Sequence, residues 1–126
     1  EYAVDTAGAG EWRGGIGTET VYTIGSDDTQ FVTFGDGDFI PAFGLFEGQD
    51  SSLNSIVLTF PDGTEKTPNN KDLWTGVPKG TVYHQFAGGG GGYGDPKKRD
   101  REKLAAEVRD GIISTDAAND IYGLGT

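Results

Sequence analysis

The densest run of chemically suggestive residues is Gly88, Gly89, Gly90, Gly91 and Gly92, followed by Tyr93, Gly94, Asp95 and Pro96. Glycine-rich turns let backbone N–H groups approach a phosphate closely, so the run has the raw material of an anion cradle. A nucleotide-binding loop of the P-loop kind, however, needs Lys-Ser/Thr directly after its last glycine. Asp95 and Pro96 put a carboxylate and a missing N–H where the phosphate would sit, which argues against a cradle. The structural reading fits better: residues without Cβ atoms permit close backbone packing in extended or polyproline-II-like conformation. Such a tract is costly to order alone and requires a surrounding protein wall.

The remaining candidates are weaker. Asp36, Asp38 and Glu47 have the spacing of positions 1, 3 and 12 of an EF-hand loop, but Ile40 and Pro41 stand where an oxygen ligand and a glycine are needed. Only an irregular calcium site remains open there. His84 is the single histidine, with neither cysteine nor a second histidine to complete a metal site, so a structural or surface role is favoured. Trp12 and Trp74 could stack on a ligand, although such residues more often anchor a core or an interface. No Gly-x-Ser-x-Gly elbow is present. The expectation is therefore a chain without catalytic, cofactor-binding or metal-binding residues of its own.

The elements that would position these residues are β in the first part and helical at the end. Residues 18–24 are rich in β-branched side chains and alternate, and Ser26, Asp27 and Asp28 form a turn into a second strand over 29–34 anchored by Phe31 and Phe34. Residues 39–46 are aromatic but broken by Pro41 and Gly44, and so read as a packed loop. A short strand over 55–60 ends in the turn Pro61-Asp62-Gly63, and 81–86 is the last clear strand, carrying His84. Asp95-Pro96 then marks a helix start, and Asp100 caps a second. Leu104, Val108 and Ile112 recur on one face with Ala105 beside them until Gly111, and Ser114 caps a final helix over 115–122 closed by Gly123. The predicted fold is mainly β, barrel- or sandwich-like with glycine-rich extended segments, and has a short C-terminal helical tail. Residues 1–94 form the β/glycine-rich domain, and 95–126 form a tail packed on the same unit.

Composition limits what such a fold can do. The chain has 126 residues, 22 of them glycine, and Ile, Leu, Val and Phe together make only about a fifth of it. The glycines show no three-residue period, which excludes collagen. No stretch approaches the roughly 18 apolar residues of a membrane span. Net charge is −10, with 13 acidic and 4 basic residues in 1–94 but 7 and 6 in 95–126. So acidic a chain repels a phosphate backbone, so nucleic acid is not an expected partner. Lys97, Lys98, Arg99, Arg101 and Lys103 could meet an anion or an acidic partner, but read first as the wet side of a helix start. The lack of cysteine excludes a disulfide scaffold and fits the reducing cytoplasm, the expected location. No signal peptide is visible, and a chain that opens at Glu1 without methionine reads as one whose true start was removed or left out, as at a fragment's edge.

Three segments together resemble the hydantoinase B/oxoprolinase family. Asp5-Thr6-Ala7-Gly8-Ala9-Gly10-Glu11-Trp12-Arg13-Gly14-Gly15-Ile16-Gly17 is similar to its D-S-G-G-x-G-x-[YW]-R-G-G-x-G signature. The glycines at 89–92 with Tyr93-Gly94-Asp95-Pro96 resemble its GGGGYGDP motif, and Gly111-Ile112-Ile113-Ser114 with Ala117, Ala118, Tyr122 and Gly123 resembles its closing motif. A looser P-x-x-GL-x-x-G is matched by Pro41, Gly44, Leu45 and Gly48, while Arg101 stands where relatives often carry proline. The resemblance covers the C-terminal portion of a longer polypeptide. It implies a small, noncatalytic subunit of an ATP-dependent, biotin-independent ketone carboxylase of the acetophenone carboxylase type. There, acetophenone and bicarbonate would be phosphorylated at the expense of ATP and joined into a β-keto acid. The implied partners are larger hydantoinase-B-like and hydantoinase-A-like subunits, with ATP and Mg expected in those partners. Trp12, Arg13, the glycines at 88–92 and Tyr93 are the expected subunit contact. The alternatives are the C-terminal part of an ATP-dependent hydantoinase, oxoprolinase or lactam amidohydrolase, and a free-standing β-rich ligand-binding module.

Overall fold

The structure is a computed structural model and describes residues 1–125. Strands β1 (Thr18–Thr23), β2 (Thr29–Phe34), β3 (Ser55–Thr59), β4 (Glu65–Lys66), β5 (Lys71–Val77) and β6 (Val82–Ala87) precede helices α1 (Arg101–Arg109) and α2 (Thr115–Asp120). They form a four-stranded antiparallel sheet in the order β1-β6-β3-β4 and a two-stranded antiparallel ribbon, β2-β5. The fold is mainly β, as expected, but the sheets do not close into a barrel.

Turn chemistry decides where the chain reverses. Gly63 N–H donates to the Phe60 carbonyl at 2.9 Å, closing the Pro61-Asp62-Gly63 turn into the β3–β4 hairpin. The Ser26-Asp27-Asp28 turn instead carries the chain from the sheet to the ribbon, held by Thr29 Oγ1 donating to the Ser26 carbonyl at 2.8 Å. Strand β5 was not anticipated from the sequence. Its alternation is interrupted by Gly76, which sits at φ +64°, and it is recognisable only by pairing with β2.

Sheet and ribbon are joined by aromatic rings. Phe31 stacks on Trp74 with centroids 6.3 Å apart and meets the edge of Tyr83 at 5.9 Å, while Phe60 lies 6.4 Å from Trp74. Phe34, expected as a second anchor, is 85% exposed. Side chains alternate along a strand, so with Phe31 and Thr33 turned inward, Val32 and Phe34 must face out.

The largest contiguous apolar core lies at the helical end. Leu104, Ile113, Ala118 and Tyr122 bury themselves around Ala9 of the N-terminal segment. Asp100 caps α1 by accepting from Lys103 N–H at 2.9 Å, Gly111 ends it at φ +73°, and Ser114 caps α2 by accepting from Ala117 N–H at 3.1 Å. Asp95-Pro96 opens only a single 3-10 turn rather than an α-helix, and Ala105 is exposed rather than on the packed face. No helix among the described residues is long and apolar enough to cross a membrane.

Candidate functional site

The glycine tract runs through the middle of the molecule, and its wall is built by the chain itself. Gly90 accepts from Gly8 N–H and donates to the Gly15 carbonyl, both at 2.8 Å. Gly92 donates to Gln49 at 2.9 Å and accepts from Leu45 N–H at 3.0 Å. The tract is thus threaded between the 8–15 segment and the 44–49 loop by main-chain hydrogen bonds, and Asn54 closes its start by accepting from Gly88 N–H at 2.6 Å. A Cβ on Gly88, Gly89, Gly91 or Gly92 would overlap a carbonyl oxygen, that of Ser52, Gly15, Phe43 or Ala9 respectively. The tract's N–H groups are largely spent on neighbouring backbone, which leaves little for an anion.

This backbone-on-backbone packing explains a second departure from expectation. The loop over 39–46 does not bury its aromatics: Phe39, Ile40, Phe43 and Phe46 are all more than 70% exposed. Its inner side is main chain pressed against glycine, with Gly91 against the Phe43 carbonyl and Gly44 against Gly48, so the side chains have room only on the outside. Phe46 and Glu47 adopt φ +49° and +72°, the left-handed corner by which the loop turns back.

At the far end of the tract the backbone rises to the surface. Trp12 and Tyr93 exchange both main-chain hydrogen bonds at 2.9 Å, and Leu45 pairs with Tyr93 on its other side. Phe46 meets the Tyr93 ring edge-on at 5.2 Å. Trp12 is 62% and Tyr93 50% exposed, so these side chains form an aromatic ridge on a rigid main-chain base.

Arg13 points the other way, to Glu107 of α1. Its Nε and Nη2 donate to Glu107 Oε1 at 3.0 and 2.9 Å, and Arg99 grips the same carboxylate through Nε to Oε2 at 3.0 Å and Nη2 to Oε1 at 2.7 Å. Burial works to raise the Glu107 pKa, but hydrogen bonds from Arg99 and Arg13 and their positive charges prevail and hold it below the ordinary carboxylate value. Arg99 Nη1 also donates to the Glu11 carbonyl at 3.0 Å, and Arg101 Nη1 donates to the Tyr122 carbonyl at 2.8 Å. The expected wet basic face is therefore partly structural, because Arg99 ties Glu107 of α1 to the N-terminal segment and Arg101 ties the start of α1 to the chain just after α2. Glu107 was overlooked in the sequence although it lies between Leu104 and Val108 on the apolar stripe, the place where a carboxylate needs a partner.

The other candidates stay apart. His84 Nε2 lies 2.7 Å from Glu19 Oε1 across neighbouring strands, in contact with Phe86. Asp36 accepts through its carbonyl from Asn54 Nδ2, and Asp38 Oδ1 accepts from Asn70 Nδ2 at 3.0 Å. No group of three or more metal-capable side chains occurs among the described residues.

Fold and ridge define a mainly-β module built on a glycine spine and edged with exposed aromatics. The Hydantoinase B/oxoprolinase family model matches residues 1–96, and the chain belongs to that family. It is 34% identical over 124 residues to caprolactamase subunit beta of Pseudomonas jessenii, with 95% of this chain covered and 21% of that one. The crystal structure of the ATP-dependent caprolactamase from Pseudomonas jessenii matches at a TM-score of 0.74 and 32% identity, over 98% of this chain and 22% of that one. A nucleotide-free structure of acetone carboxylase matches at a TM-score of 0.70 and 17% identity, over 98% and 20%, and so shares the fold. The chain spans about a fifth of the length of the relatives it matches.

Proposed function

We propose that this chain is a noncatalytic scaffold that completes the hydantoinase-B-like body of an ATP-dependent enzyme complex, docking through the ridge of Trp12, Tyr93, Leu45 and Phe46. The observation that carries the reading is this ridge: large apolar side chains, half to three-quarters exposed, held on a main-chain base tied by hydrogen bonds. Interfaces draw their energy from such rigid aromatic anchors. The glycines at 88–92 and Arg13 support the contact from behind, by fixing the base and the helix beneath it. ATP and Mg belong to a larger hydantoinase-A-like partner in this scheme.

Two reactions fit a complex of this kind. One is carboxylation of a ketone such as acetophenone, implied by the family resemblance; the other is opening of a cyclic amide, favoured by one-third identity to a caprolactamase subunit. Both would couple ATP to activation of a carbonyl-derived oxygen, and neither requires a reacting group from this chain. The complete complex should be assayed for ATP-dependent loss of caprolactam, hydantoin and 5-oxoproline, and for ATP-dependent fixation of bicarbonate onto acetophenone. A W12A/Y93A double variant should weaken assembly at least 30-fold, about 2 kcal/mol or more, and lower turnover in proportion to the complex lost. Full turnover by the separated chain, or unchanged assembly of the variant, would overturn the scaffold reading.

A further inference from the structure

A second feature on the opposite flank of the sheet has no part in the ridge. Flanked by the end of β2, the start of β3, β6 and the segment over 67–70, a groove of about 480 Å³ opens at the surface. The aromatic contacts of Phe31, Trp74 and Phe60 brace the ribbon against the sheet elsewhere, whereas no side chain fills the groove. Its apolar lining comes from Val32, Phe34, Phe39 and Ile56, and of these Val32, Phe34 and Phe39 are 67%, 85% and 83% exposed. Between them stand the carboxamides of Asn54, Asn69, Asn70 and Gln85, with Asp36 and Asp38 at the rim.

We infer that this groove seats an extended segment of the hydantoinase-B-like partner, carrying an apolar side chain flanked by Lys or Arg; the inference rests on the scaffold reading above. The Asn54 carboxamide is spent within the chain, but the Asn69 carboxamide, Asn70 Oδ1 and Gln85 Nε2 make no hydrogen bond among the described residues, and together they can donate to and accept from the alternating N–H and C=O groups of an extended backbone. The apolar walls suit the inserted side chain. The exposed Asp36 carboxylate, 3.8 Å from Lys71, and Asp38, which accepts from Asn70, lie in a part of the chain that holds 13 acidic residues against 4 basic ones, which favours a basic flank. The surface itself points to a missing cover. The described chain exposes 7692 Å², whereas a free globular protein of this mass exposes about 6,400 Å². The difference, about 1,200 Å², exceeds the roughly 800 Å² that one partner contributes to a standard interface. The four-fifths of each relative lying outside the matched region supplies chain enough to provide that cover.

The test is hydrogen–deuterium exchange on the free chain and on the complete complex, paired with a V32K/F39K variant, whose added cations repel a basic flank. Both substituted side chains are exposed, so the variant should melt with the native chain. Amides of 32–39, 54–56 and 67–70 should exchange at least tenfold more slowly in the complex, and the variant should assemble at least tenfold more weakly, more so at low salt. Unchanged groove exchange in a complex that forms overturns this inference and leaves the scaffold reading standing. Protection of the groove in the free chain by caprolactam or acetophenone also overturns it, in favour of a small-molecule site. Failure of the native chain to assemble overturns both.

Discussion

At the scale of single residues, the interior is decided by what is missing from side chains. Gly91 lies against the Phe43 carbonyl so closely that Gly91→Ala must move main chain on both sides. It should cost roughly 2–3 kcal/mol, the upper range for overpacking a rigid site. Gly35→Ala meets open space and should stay within about 0.5 kcal/mol of the parent, as ordinary surface changes do. Urea titration of the pair separates steric need from mere glycine content. Glu107 offers a second prediction. Its native pKa is lowered, so the native state binds that proton less readily than the unfolded chain. Its contribution is complete above the ordinary glutamate pKa of 4.5 and fades as pH falls through the lower native value. Glu107→Gln leaves Arg13 and Arg99 without their anion and should cost roughly 2–3 kcal/mol, somewhat less than for a fully buried pair. The variant should also show a flatter loss of stability on acidification, measured by thermal melts across pH 3–7.

Among the elements, helices and ribbon depend on different forces. Leu104 is fully buried against Ala9 and α2, so Leu104→Ala should destabilise by about 2–5 kcal/mol. Ser114→Ala removes only a cap and should cost about 1 kcal/mol, detectable as a small shift in the urea midpoint. The ribbon β2-β5 has no comparable core and rests on the Phe31, Trp74 and Tyr83 rings. A two-stranded ribbon is marginal by itself, so amides of β2 and β5 should exchange sooner than those of β3 and β6 in the free chain. Equal protection of all four strands would show that the rings suffice to make the ribbon part of one cooperative unit.

For the molecule as a whole, the outer faces are more apolar than the interior is large. Leu58 and Val77 are the large apolar side chains fully buried in the β body, while Trp12, Phe34, Phe39, Phe43 and Phe46 stand outside. Glycine packing accounts for the inversion, since main chain fills the space that side chains occupy in other domains. The spine itself is self-sufficient, with wall and tract in one chain. What lacks a partner is the set of side chains that the spine pushes outward. Raising the partner concentration should therefore raise the melting temperature of the chain by mass action, and a melting temperature independent of the partner would contradict the scaffold reading.

Features with local causes were legible along the chain. The Pro61-Asp62-Gly63 turn, the caps at Asp100 and Ser114, the stop at Gly111 and the apolar stripe of α1 follow from one residue's conformational preference or hydrogen bond, and the family motifs are likewise strings of neighbours. The tertiary structure alone decided that β1 and β2 lie in different sheets, that Lys71–Val77 is a strand, and that the aromatics of 39–46 face outward. It alone brought Arg13 and Arg99 onto Glu107. Each of these depends on contacts between distant segments, where a carbonyl's closeness to a glycine or a carboxylate's reach to two guanidiniums leaves no periodic trace in either stretch of chain.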